Sequence, residues 1–485
     1  MNSDDRRRRP GDRIVRRPRQ HELEPVRIHS HRRRRISIPA STSALLSLTL
    51  GFLLLISLGT IALMVPAAST EAGGAPFITA LFTATSAVCV TGLVVVESAT
   101  YWTHFGQGVI IALMFLGGLG IMTAGILILV LVVRRITLNQ RLVVRETMGG
   151  MPLGSVVSAG RYILIFAVAV QAAGFAALFL YLLLSFPVGQ AAWTAMFHSV
   201  SAFNNAGFTI FLDSDSLSAF QSDHVIIWIH GVLIVLGALS LPVILEVIRQ
   251  SRLNRWSLDT RMVVIGTLAM WGAGLISMLV YEIHNPATLG GMGLGDQISN
   301  ALFQSITSRT AGFSTIDYGA SHAGNDVIFM ILMFIGGASG STAGGIKINT
   351  FMVLVIAGIA SIQGRTRAEF GKREIPAPQI LRAIAVFLLA AFALVALIVA
   401  LGVTEMRHLE SGRFVFLDLL FEATSAFGTV GLSRGITPDL SDPGKVLITI
   451  GMYVGRLGPL TLALGLALRE RRAVYRFAEE RVRIG

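Results

Sequence analysis

One short apolar segment ending in glycine occurs four times in this 485-residue chain, and that repetition constrains the fold more than any other feature. The copies run Leu81–Leu93, Phe197–Phe208, Leu302–Phe313 and Phe421–Leu432, and their glycines are Gly92, Gly207, Gly312 and Gly431. Ten residues before the glycine stand Phe82, Phe197, Leu302 and Phe421; six before it stand Ser86, Ser201, Ile306 and Ser425. Leu93, Phe208, Phe313 and Leu432 follow it. The glycines lie 115, 105 and 119 residues apart, and such near-even spacing marks an internal repeat.

Each copy reads as a helical run too brief to cross a bilayer, followed by small residues and the glycine. Glycine permits backbone angles that side chains forbid. Non-helical backbone at membrane depth survives only where it is buried in protein or lines a water-filled cavity. Four such strips around one axis would present four sets of carbonyl oxygens, which can replace the hydration shell of a cation.

The surroundings fit a membrane. The chain is 53% hydrophobic and 14% charged, with a mean hydropathy of +0.68. That composition is polytopic, and the 50 glycines suit close helix packing in lipid. Eight apolar runs, near 42–65, 107–133, 158–185, 224–248, 262–283, 326–360, 380–402 and 444–468, can each span the hydrocarbon. One short segment lies between the members of each pair. The expectation is an all-α polytopic membrane protein of four helix–pore loop–helix repeats: eight transmembrane helices and four re-entrant loops in a pseudo-fourfold arrangement. The divisions fall at 1–40 (arginine-rich, disordered, cytoplasmic), 41–134, 135–250, 251–361, 362–468 and a cytoplasmic tail at 469–485.

Charge sets the orientation. The net charge is +12, and thirteen arginines fall within residues 1–35. With few apolar residues this stretch is expected to be disordered. The run at 42–65 is too long for a signal-peptide core and reads as a retained helix. Between repeats stand Arg134, Arg135, Arg141 and Arg145, then Arg249, Arg252, Arg255 and Arg261, then Arg365, Arg367, Lys372 and Arg373. These face the cytoplasm by the positive-inside rule, so both termini are cytoplasmic. The opposite loops carry Glu71, Glu97, Asp213, Asp215, Asp317 and others, a weakly acidic outer vestibule that would concentrate cations. Nucleic-acid binding by the tail is the rival reading, but nothing aromatic interleaves its arginines.

The run at 326–360 is too long for one span and holds five glycines within Gly336–Gly345. Glycine costs about 1 kcal/mol relative to alanine in a helix, so residues 336–346 are expected to form a loop at membrane depth beneath the third segment. A glycine-rich packing face is the plainer alternative. Arg456 lies at the centre of the last apolar run and should face the bundle interior. From there it could hydrogen-bond the glycine-rich loop as a barrier to ions, or pin two helices. Arg309 should bond the carbonyl ends of neighbouring short helices, while Asn204, Asn205, Thr310 and His198 brace the strips. No Asp or Glu ring lies in the strips, since Glu422 stands far from its glycine in sequence. That favours potassium or sodium over calcium. Cys89, the single cysteine, reads as a small apolar helix residue. No metal-ligand cluster, nucleophile triad or phosphate loop is visible, so no enzyme and no bound cofactor is expected. An alternating-access transporter of a small solute is the alternative, and it would call for inverted repeats.

These residues resemble the Trk/Ktr/HKT superfamily of potassium transporters, over about residues 40–485 and closest to its Ktr branch. The resemblance rests on Ser201–Phe208, Arg309–Phe313, Glu422–Leu432, Gly336–Gly345 and Gly455-Arg456-Leu457-Gly458-Pro459. It implies potassium uptake across a bacterial inner membrane through a filter of Thr91, Gly92, Ala206, Gly207, Ala311, Gly312, Val430 and Gly431. It implies a gate built from Gly336, Gly337, Ser339, Gly340, Ser341, Thr342, Gly344, Gly345 and Lys347, bordered by Arg456. It also implies a homodimer with a cytoplasmic, nucleotide-binding, RCK-type (KtrA-like) ring on the basic inner face, and sodium as a further transported or activating ion. Sodium-preferring relatives carry serine at the first filter position, so Gly92 implies potassium. The arginine tail departs from the family pattern; anionic lipid and the ring are both open as its contacts.

Overall fold

The computed structural model describes residues 40–119, 156–212, 215–250 and 252–468. The arginine-rich tail, the basic segment 134–145, Asp213 and the C-terminal tail lie outside the described residues. Helices α1 (Ala40–Met64), α2 (Phe77–Cys89) and α3 (His104–Leu119) come first, followed by α4 (Val156–Leu182), α5 (Val188–Asn204), α6 (His224–Ala238) and α7 (Leu241–Arg249). Next are α8 (Leu258–Glu282), α9 (Leu294–Thr307), α10 (Ala323–Phe334) and α11 (Ile348–Ile362). A small hairpin, β1 (Glu369–Phe370) against β2 (Arg373–Glu374), precedes α12 (Ala377–Thr404), α13 (Phe416–Gly428) and α14 (Asp442–Leu468).

Arg161–Leu182, Leu258–Glu282 and Ala377–Thr404 are long and apolar enough to cross a membrane, and the bent pair α6–α7 would make a fourth. Apolar side chains such as Phe392, 74% exposed, project outward from α12. Outward apolar residues carry no penalty when the surrounding solvent is lipid.

The short helices α2, α5, α9 and α13 occupy the interior. Phe82 to Cys89 of α2 and Phe421 to Gly428 of α13 are buried without interruption. Each short helix packs against the helix before it: α1 on α2, α4 on α5, α8 on α9 and α12 on α13. The helix after each one reaches the next short helix, α3 to α5, α6 to α9 and α10 to α13, and α14 returns to α2. The packing thus closes on itself.

The run at 224–248 is not one straight span, as its composition suggested. It bends by 103° between α6 and α7. Pro242, in the first turn of α7, has no N–H to give to Ala238 O, and its ring would clash with that carbonyl in a continuous helix. The bend exposes the last carbonyls of α6, which the glycine-rich loop then satisfies: Ala338 N donates to Ala238 O at 3.1 Å and Thr342 N to Gly237 O at 3.1 Å.

Candidate functional site

The four glycines come together. Three of the short helices stop at a left-handed residue two positions before the glycine: Val90 (φ 56°), Asn205 (φ 60°) and Thr429 (φ 50°). The following amides turn back, Thr91 to Ser86 O, Ala206 to Ser201 O and Val430 to Ser425 O, each at 2.8 Å. This Schellman closure ordinarily uses glycine. Thr310 (φ 73°) holds the same position in the third copy. A left-handed backbone at a β-branched residue costs about 1–3 kcal/mol and persists only where packing enforces it. Three different residue types (Val, Asn and Thr) share this left-handed φ, so the aligned sequences gave no hint of it.

Past this turn, Gly92, Gly207, Gly312 and Gly431 have φ of 89°, 71°, 79° and 98°. Each abuts the residue before the next glycine. A Cβ on Gly92 would stand 2.5 Å from Ala206 O, and one on Gly207 2.9 Å from Ala311 O. One on Gly312 would strike Val430 O, and one on Gly431 would strike Thr91 O. The order 92, 207, 312, 431 and back to 92 is a closed ring of main chain with no room for a side chain at any corner.

The short helices hold the strips from behind. Ser86 Oγ accepts from Gly92 N at 3.0 Å and Ser425 Oγ from Gly431 N at 3.1 Å, while Ser201 Oγ donates to Phe208 O at 2.8 Å. The third copy has Ile306 here and no hydroxyl at this position; its strip is held by backbone bonds to Thr307 O, from Ala311 N at 2.9 Å and Gly312 N at 3.4 Å. One turn earlier a second polar side chain holds the chain beyond the glycine. His198, nine residues before Gly207, accepts from Ile210 N at 3.2 Å. Glu422, nine before Gly431, accepts from Ser433 Oγ at 2.8 Å and from Thr437 Oγ1. Gln304, eight before Gly312, donates to Thr315 Oγ1 at 3.0 Å. Glu422 is therefore far from its glycine along the helix but braces the segment that leaves it.

Residues following the glycines line a cavity of about 620 Å³, together with Glu97, Asp215 and Asp317. Burial, with Asp317 and Glu97 as neighbours, holds the Asp215 carboxyl above the ordinary carboxylate range.

Residues preceding the glycines meet the glycine-rich loop. Residues 336–347 are not helical; Gly336 N donates to Ile346 O at 2.8 Å, closing the loop at its neck. A Cβ on Gly336 would approach Thr310, and one on Gly344 would strike Thr429 Oγ1. Arg456 Nη1 donates to Thr342 O at 2.5 Å and Nη2 to Gly117 O at 3.4 Å. Thr342 Oγ1 donates to Gly237 O at 2.8 Å, and Ser341 Oγ to Ala338 O at 2.7 Å. Lys347 Nζ folds back onto Ala343 O. Ser339 N donates to Asn349 Oδ1 at 3.0 Å, and the Asn349 amide donates in turn to Asp259.

Arg309 bonds elsewhere than the sequence suggested. Its acceptors are Gly336 O (2.6 Å, from Nη2) and Ile335 O (3.4 Å, from Nε), at the neck of the loop rather than at the ends of the short helices. Asn204 Nδ2 donates to Val200 O at 2.9 Å within its own helix. With the Asn205 amide oriented so that its nitrogen faces these acceptors, Nδ2 donates to Ala202 O and Ile234 O, each at 3.2 Å, tying the second turn to α6. Cys89 is buried in the apolar core.

The chain belongs to the TrkH family, described as cation transport proteins, which matches residues 26–473. It is 36% identical over 423 residues to the Ktr system potassium uptake protein B of Bacillus subtilis, covering 87% of this chain and 93% of that protein. It is 38% identical over 438 residues to the potassium/sodium uptake protein NtpJ of Enterococcus hirae, covering 90% and 96%. The structure of the potassium transporter TrkH from Vibrio parahaemolyticus shares the fold, with a TM-score of 0.68 at 19% identity over 90% of this chain and 87% of that one.

Proposed function

We propose that this chain is the pore-forming membrane subunit of a potassium uptake system. The closed ring of four glycine strips carries this reading. Thr91, Ala206, Ala311 and Val430 supply carbonyls at the corners, with Gly92, Gly207, Gly312 and Gly431 beside them. Main-chain oxygens arranged in a ring can replace water around a bare monovalent ion. The four quarters are helix–pore loop–helix units giving eight crossings around a pseudo-fourfold axis. Both termini face the cytoplasm of a bacterial cell, and the carboxylate-lined cavity faces outside.

The loop at 336–346, held by Arg456 and Arg309 and set against Thr310 and Thr429, is the gate. Its buried amides and carbonyls are bonded to α6, to Asn349 and to the two guanidiniums, so opening must break a defined set of bonds. Two similar proteins carry names that speak of potassium, and of potassium and sodium, uptake; we extend this to both ions here, with potassium preferred. The chain works as a homodimer, with an RCK-type nucleotide-binding ring on its basic inner face.

Purified protein in liposomes tests the reading. It should pass rubidium down a potassium gradient with no organic solute present, and should favour rubidium over sodium. Flux that requires an organic solute would assign the chain to alternating access instead, and absence of any monovalent flux would end the proposal.

A further inference from the structure

The second strip is held by a pair of buried histidines whose hydrogen bonds admit one proton arrangement. Ile210 N–H points at His198 Nε2 at 3.2 Å. That nitrogen must accept, so in the neutral ring the proton sits on Nδ1. His198 Nδ1 lies 3.1 Å from His230 Nε2. His230 Nε2 must therefore accept as well, and its proton sits on Nδ1, which is 2.8 Å from Ile226 O. The chain runs Ile210 N–H to His198, His198 to His230 and His230 to Ile226 O, with every ring nitrogen satisfied.

A second proton on either ring would have to sit on an Nε2 that already accepts an N–H. Both side chains are fully buried. Aromatic rings enclose them: Phe211 stands 4.2 Å from the His198 ring and Phe313 5.3 Å from the His230 ring, centroid to centroid. Phe313 follows Gly312, so the pair touches the third strip while bonding the second.

We propose that His198 and His230 form a tautomer-locked relay that fixes the outer end of the second strip, making His198 a positioning residue for cation selection. The inference rests on reading the glycine ring as the cation filter. Ile210 is three residues past Gly207, so a free Ile210 amide lets the strip shift where its carbonyls must keep a fixed ring size. His198 occupies the position that Glu422 holds in the fourth copy, where a carboxylate accepts from two hydroxyls. A carboxylate at residue 198 would leave the His230 end of the relay without its donor. Nothing in the family name or in the names of the similar proteins assigns either histidine.

The two ring nitrogens of His198 can be tested apart. His198→Gln puts an amide oxygen near the place of Nε2 and keeps the bond to Ile210. His198→Asn places its amide near Nδ1, keeping the contact with His230 but freeing Ile210. His230→Phe removes the acceptor that holds the His198 tautomer, and it does so from outside the short helix.

Rubidium and sodium fluxes in liposomes are measured for each variant, alongside the thermal stability of the purified protein. Wild-type flux with rubidium preferred establishes the filter reading independently. We expect His198→Gln to keep the wild-type rubidium-to-sodium ratio. His198→Asn and His230→Phe should lower it by about tenfold, the effect of losing one buried hydrogen bond. Equal ratios in wild type, His198→Asn and His230→Phe would overturn the relay, even where stability falls, because that pattern assigns the pair to packing alone. A ratio lowered equally in His198→Gln and His198→Asn would overturn the assignment of Nε2 as the working atom. Should His198→Asn fail to fold, the ratio in His230→Phe decides.

Discussion

Arg456 and Thr342 are joined across 114 residues by a 2.5 Å hydrogen bond from the guanidinium to the loop carbonyl. This is the one side-chain bond between the last helix and the apex of the proposed gate among the described residues, and it is buried. A charge-assisted bond of this kind contributes about 1.5–3 kcal/mol. Arg456→Gln should therefore raise basal rubidium flux by about tenfold, and deletion of 337–345 should raise it further. Unchanged or reduced flux in protein that remains folded would count against the gate.

Gly312 tests the ring. A side chain there meets Val430 O at once, in a backbone that disfavours any Cβ. Gly312→Ser should reduce potassium-over-sodium discrimination by about tenfold, corresponding to the 1–3 kcal/mol of strain such a site stores. Unaltered discrimination would remove the strips from the pathway.

Arg309 binds the third strip to the neck of the loop through Ile335 O and Gly336 O. Arg309→Met strands both buried carbonyls. Leaving a buried group unpaired costs about 1–3 kcal/mol, so the melting temperature should fall by several degrees. Thermal unfolding in detergent reads this directly, and an unshifted transition would mean that other donors replace Arg309.

The cavity past the glycines, external in the proposed orientation, should respond to acid through Asp215. Its carboxyl titrates above the ordinary carboxylate range because it is buried and stands near Asp317 and Glu97. As external pH falls through that raised value, Asp215 takes up a proton and the cavity loses one negative charge. Uptake at low ionic strength should then decline at a higher pH than the one at which ordinary carboxylates take up protons. Asp215→Asn should lower uptake about twofold at neutral pH, flatten this acid limb and lose its effect in high salt. Superimposable pH profiles for the two proteins would exclude Asp215 from cation capture.

Parts of this site were legible because they obey local rules. The four glycines declared themselves by period and by the apolar run before each. The 336–345 segment could not hold a helix with five glycines in ten residues. Arg456 stood out because a guanidinium in an apolar run needs an interior partner. Other parts obey no local rule. Nothing near Ser240-Leu241-Pro242 distinguishes a kink from a 103° bend, since the loop that satisfies the freed carbonyls of α6 lies about 100 residues further on. The acceptors of Arg309 and the partners of His198 and Glu422 lie on other elements, or beyond a turn whose path the sequence leaves open.

By itself, then, the sequence determined the fourfold repetition, the membrane environment and the places where glycine is indispensable, because each follows from spacing, hydropathy or the conformational range of one residue. Only the tertiary structure decided that the strips meet in the cyclic order 92, 207, 312, 431. It alone made Val90, Asn205, Thr310 and Thr429 equivalent turns and made two histidines a single hydrogen-bonded brace. Those relations depend on atoms brought into contact from segments far apart in the chain, and contact of that kind is a property of packing rather than of pattern.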